Sequence, residues 1–85
     1  MSSTTRLQSR GPALGFPPMW VVYREPRDFP EYKFLVRLWY GLHATSECEG
    51  FNSIVSARER LLQVGASARL DRMPGDDPAV YEVWL

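Results

Sequence analysis

The sequence predicts an α+β domain of two layers: a four-stranded, mainly antiparallel sheet in the order β-β-α-β-β, with one helix on one face. Three observations carry that prediction. From Tyr32 to Tyr40 the residues alternate, with Phe34, Val36, Leu38 and Tyr40 set against Lys33, Leu35, Arg37 and Trp39, which is the period of a strand. Ser56-Ala57-Arg58-Glu59 has the form of a capping box and opens a short amphipathic run that closes at Gly65. Two clusters of turn formers, Glu25-Pro26-Arg27-Asp28-Phe29-Pro30 and Pro74-Gly75-Asp76-Asp77-Pro78, separate apolar runs of strand length.

Taken in order, residues 1–18 mix Ser, Thr, Gly, Pro and arginine without a period, and Gly11, Pro12, Gly15, Pro17 and Pro18 oppose regular structure. They are expected to form a flexible leader, with Leu14 and Phe16 as the side chains able to anchor it, and residues 19–85 to form the single domain. The first strand is Met19 to Arg24, dense in Trp, Val and Tyr. The second runs from about Tyr32 to Tyr40 and ends at Gly41. Leu42 to Asn52 shows neither period and is expected to be a surface loop. The helix should start near Ala57, with Ala57, Leu61 and Val64 on one face; a start one turn earlier, capped by Asn52 or Ser53, would add Ile54 and Val55 to the stripe. Ala68 to Met73 and Ala79 to Leu85 read as the remaining strands, joined by the Gly-Asp hairpin loop.

Composition narrows the function. Ten basic and ten acidic side chains give zero net charge, which weighs against nucleic acid as a partner because phosphate neutralisation supplies most nonspecific affinity. The only cysteine, Cys48, cannot form an internal disulfide, and the start lacks a signal-peptide pattern, so the cytoplasm is the expected compartment. Apolar stretches such as Met19 to Val22 fall far short of the roughly 20 residues of a spanning helix, so no membrane segment is expected.

Charged residues set the expected faces. An unpaired charge is costly to bury, so Glu82 points Tyr81, Val83 and Leu85 inward; Lys33 and Arg37 do the same for Phe34, Val36, Leu38 and Tyr40, and Arg24 for Met19, Val21 and Tyr23. The outward set is then Trp20, Val22, Arg24, Leu35, Arg37, Trp39, Glu82 and Trp84. One helix covers one side of such a sheet, leaving this tryptophan-rich face open. Leaving half of three indoles wet forgoes several kcal/mol, comparable to the stability of a small domain. A surface rich in Trp and rimmed by Arg and Glu has the makeup of an interface core. Cover by the leader is the competing account.

No motif carries chemistry. His43, Glu47, Cys48 and Glu49 gather ligand types, but their spacing fits no zinc pattern, and no group orients a Cys-His nucleophile pair. Asp71, Asp76 and Asp77 read as turn chemistry before a cation site. No catalytic residue, metal site or cofactor is expected.

Met19-Trp-Val-Val-Tyr-Arg-Glu-Pro-Arg-Asp-Phe-Pro, Lys33-Phe-Leu-Val-Arg-Leu-Trp, Arg69-Leu-Asp-Arg-Met-Pro-Gly-Asp-Asp-Pro and Glu82-Val-Trp-Leu together resemble a group of small uncharacterised bacterial proteins. In that group an aromatic-Val-Tyr opening strand, an Asp-aromatic-Pro turn and a closing Asp-Asp-Pro plus Glu-x-Trp strand recur. The resemblance covers residues 19–85 and implies the strands but no activity. The expectation is a non-enzymatic protein-interaction module, a homodimer or the binder of a protein partner, acting through the tryptophan face. Single-stranded nucleic-acid binding by the same face is the first alternative, and a metal-binding protein or enzyme built on the 43–49 loop the second.

Overall fold

The computed structural model describes residues 5–9, 11–13, 15–71, 75 and 77–85. Along the chain run β1 (Pro18–Arg24), β2 (Phe34–Tyr40), β3 (His43–Phe51), α1 (Ile54–Gln63), β4 (Arg69–Asp71) and β5 (Val80–Trp84). Every pairing is antiparallel, and the sheet order is β3-β2-β1-β5-β4. The class is α+β, with five strands among the described residues where four were expected.

The added strand is β3, which occupies the segment expected as a loop. Its side chains are largely short or polar and much of it is solvent-facing at the sheet border, so no apolar alternation marks it. Backbone pairing to β2 holds it instead. Gly41, at φ 59°, makes the reversal between the two strands. At the far end Gly50 lies under the Tyr32 ring, with which a Cβ would collide.

The helix takes the earlier of the two starts. Ser53 is its N-cap, its hydroxyl accepting the Val55 N–H at 3.2 Å. The gain from one more turn is Ile54, which packs on the core beside Ala57, Leu61 and Val64. Gly65, at φ 104°, ends the helix, and the Ala66 N–H reaches back to the Leu61 carbonyl at 2.9 Å. Of the expected strand Ala68–Met73 the part in strand conformation is Arg69–Asp71; residues 72–74 and 76, which include two of the five residues of the hairpin loop, lie outside the described residues.

Between sheet and helix the core gathers Trp20, Val22, Val36, Leu38 and Trp84 against Ala57, Leu61 and Val64. Residues opposite each other on antiparallel strands share a face. Trp20 is opposite Leu38 on one side and Trp84 on the other, and Val22 is opposite Val36 and Glu82. The phase of β2 is the expected one, but β1 and β5 are inverted. Trp20 (2% exposed), Val22, Glu82 and Trp84 (7%) face the helix, and the register puts Arg24 on that side at the open end of β1.

The physical reason for the inversion is that Glu82 is buried and paired. Arg58 of α1 donates to both of its oxygens at 3.1 and 3.0 Å, the Trp84 indole donates at 3.0 Å, and Arg69 stands 3.7 Å away. Such a network satisfies a charge that would otherwise be excluded. Burial by itself would raise the Glu82 carboxyl, but these bonds and the charges of Arg58 and Arg69 outweigh it and hold the group below its ordinary value of 4.5. The unfolded chain therefore takes up this proton at higher pH than the folded one. The stabilisation is fully present above the ordinary value and is lost as pH falls through the lower folded value. The expected result is a thermal midpoint advantage of wild type over Glu82→Gln that is constant near neutrality and shrinks on acidification below about pH 4. An advantage independent of pH would contradict this account.

Within the segment expected as a flexible leader, the described residues 5–9 do not stand apart from the domain. Residues 1–4, 10 and 14, Leu14 among them, lie outside the described residues, but residues 5–9 run along β3 and α1. Leu7 is fully buried in the core. Its N–H donates to the Glu49 carboxylate at 2.9 Å, and its carbonyl accepts from the Arg60 guanidinium, itself paired with Glu49 at 3.3 Å. The Ser9 hydroxyl donates to the Val64 carbonyl at 3.1 Å. Phe16 lays its ring on Gly41. A single leucine among polar neighbours gives no period, so sequence pattern misses this anchor.

Candidate interaction face

The face turned away from α1 is not the tryptophan face expected. Of the eight residues in that set, Trp20, Val22, Arg24, Glu82 and Trp84 lie on the helix side, while Leu35, Arg37 and Trp39 lie on the uncovered side. Their neighbours there are residues the sequence argument pointed inward: Met19, Val21, Tyr23 and Val83, joined by Leu70 and Val80. The face is aliphatic with one indole.

Its layout follows from register. Cys48, Arg37, Val21, Val83 and Leu70 form one row across all five strands, with Met19 opposite Trp39 on one side of it and Tyr23 opposite Leu35 on the other. A bulge between β1 and β5 sets Tyr23 against Val80 and so brings Val80 to this face, although Glu82 and Trp84 of the same strand face the helix. The Trp39 indole donates to the Tyr23 hydroxyl at 3.1 Å. Those residues are two rows apart, so both side chains lean over the Arg37–Val21 row. Burial pushes the Tyr23 hydroxyl above its usual range, opposed by the Trp39 bond and the Arg37 charge. Arg37 is pinned by a 2.6 Å bond to the Thr45 carbonyl.

The loop between β1 and β2 folds over one end of the face, where Phe29 and Tyr32 cover Leu35 and Cys48. The remainder is a groove of about 710 Å³ with Met19, Val21 and Val83 along it, Leu70 and Val80 on the β4 side and Trp39 opposite. Leu42, at the β2–β3 turn, stands 93% exposed on its rim. Beyond Tyr23 lies a second cavity of about 630 Å³ with a mixed lining that includes Glu25, Arg27, Asp28, Arg37 and Asp77. Its charges are of both signs and single out no ligand.

The other candidate groups are dispersed. Alternation along β3 sends Cys48 to the uncovered side, under Phe29, and Glu49 to the helix side, where it binds Leu7 and Arg60; His43 is exposed at the strand's start. Among the described residues no three His, Cys, Asp or Glu side chains converge on one point. A platform for stacking nucleic-acid bases needs successive free rings. Here Trp39 and Tyr23 are bonded to each other.

The chain matches no family model, no curated protein and no solved structure. Among the described residues no helix is long and apolar enough to cross a membrane.

Proposed function

We propose that the protein is a non-enzymatic protein-interaction module that self-associates through the uncovered face of its sheet. The supporting observation is the groove: Met19, Val21, Val83 and Leu70 form a continuous apolar strip on a sheet face that no helix among the described residues covers, with Trp39 and Leu42 at its rim. Apolar strips of this kind, bordered by an aromatic anchor, are where binding energy concentrates. A second copy is a partner whose own strip is of matching chemistry. The lone Cys48 is in keeping with a cytoplasmic setting, and the resemblance of the strand and turn motifs to small bacterial proteins is the basis for proposing a bacterial one.

Trp39→Ala tests the reading. Its ring is only half-buried, so the change is expected to leave circular dichroism unaltered and to lower stability by about 1 kcal/mol through loss of the Tyr23 bond. Self-association measured by light scattering should weaken at least about tenfold, the scale of a lost aromatic anchor. Association at wild-type strength in a folded Trp39→Ala protein would overturn it.

A further inference from the structure

The two borders of the sheet are unlike. Along β3, Thr5 occupies the outer edge: its N–H donates to the Cys48 carbonyl at 2.8 Å, and the Cys48 N–H donates back to the Thr5 hydroxyl at 3.3 Å. Along β4 no described residue takes such a place. Which groups β4 turns outward follows from its ladder with β5. Ala68 and Leu85 exchange both backbone bonds, at 3.2 and 2.8 Å. In an antiparallel ladder the bonded and non-bonded pairs alternate, so Arg69 opposite Trp84 turns its N–H and C=O away from β5, Leu70 turns its own inward, and Asp71 opposite Glu82 turns outward again. The border therefore presents two donor-acceptor sets with one residue between them.

From this we infer that β4 pairs antiparallel with β4 of a second copy about a two-fold axis through Leu70, joining two five-stranded sheets into one. The outward groups of Arg69 then meet those of the partner's Asp71, and those of Asp71 meet the partner's Arg69, which is the bonded register. The side chains agree with the backbone. Arg69 and Asp71 are both exposed on the helix side, Asp71 has no ion-pair partner among the described residues, and reversal of the segment sets a cation against an anion at both positions. Leu70, 47% exposed on the opposite side, meets the partner's Leu70 at the axis. Because Leu70 also borders the groove, the grooves of the two copies run together across the axis. An isologous contact of this kind is the ordinary geometry of a homodimer. The inference goes beyond the face reading by assigning a different border, and either can fail alone.

The test is a charge exchange read by light scattering over a concentration series, with circular dichroism as the check on folding. Asp71→Arg and Arg69→Asp each set like charges together at both positions and should each raise the dimer dissociation constant about tenfold or more. An equimolar mixture of the two variants restores a cation opposite an anion at each position and should associate at wild-type strength. Arg69 also stands near Glu82, so if Arg69→Asp fails to fold, Leu70→Glu, which sets two carboxylates together at the axis, takes its place as the second disrupting variant. A dimer indifferent to Asp71→Arg, or a mixture no tighter than its components, overturns the border pairing. If such a dimer is lost with Trp39→Ala, the face reading survives and the border reading falls. If exchange and rescue succeed while Trp39→Ala has no effect, the border stands and the face reading falls. A wild-type protein that is monomeric at all concentrations overturns both.

Discussion

Trp20→Ala is expected to remove about 3–5 kcal/mol of folding free energy, the range for truncating a fully buried Trp or Phe. That is a large share of the 5–15 kcal/mol typical of a whole domain. Trp20 sits between Leu38 and Trp84 on the helix side of β1 and is 2% exposed, so its loss opens a cavity at the centre of the core. Among the described residues its indole N–H has no hydrogen-bond partner. Trp20→Phe discards that orphaned donor while keeping most of the apolar surface, and should therefore cost much less than Trp20→Ala. Urea unfolding measures both. A Trp20→Ala protein within about 1 kcal/mol of wild type would mean that this indole does not occupy the core.

Leu7→Ala is expected to cost about 2–5 kcal/mol, and deleting residues 1–9 at least as much. Leu7 is fully buried against α1 and the sheet, and its backbone is held by Glu49 and Arg60. Removing it leaves a void in a core that has few other members. Arg6→Ala, one position earlier and exposed, is the control and should be close to neutral. Unchanged urea midpoints for both Leu7→Ala and the deletion would restore residues 1–9 to the status of a free tail.

The contrast between these variants and Trp39→Ala shows what the sequence made legible. β1, β2 and β5 were readable because β-branched and aromatic residues crowd into runs bounded by Pro, Gly and Asp. The phase of β2 was readable because Arg37 does lie away from the helix. The phase of β5 was not, since the rule that keeps a carboxylate outside assumes no partner, and Arg58 lies 24 positions away in the chain. Arg24 was uninformative for β1 because, as the last residue of that strand, it is exposed even though it lies on the helix side. Once both phases invert, two of three indoles leave the candidate face and an aliphatic strip replaces them. β3 and Leu7 escaped notice for a common reason. β3 is held by backbone pairing to β2 and Leu7 by backbone bonds to residues distant in sequence, and neither leaves a local apolar period.

Thr5 on the outer edge of β3 has a further consequence. A sheet that grows by adding copies along its border needs two free sides, one to join by and one to offer onward. In this protein Thr5 occupies one side at Cys48, so growth through the β4 pairing proposed above would end with the first neighbour rather than propagate as a fibre. Displacing that short segment would free the second side, and with the proposed pairing in force an open-ended polymer becomes the expected product. On that proposal, the N-terminal segment at residues 5–9 would act as the terminator of assembly.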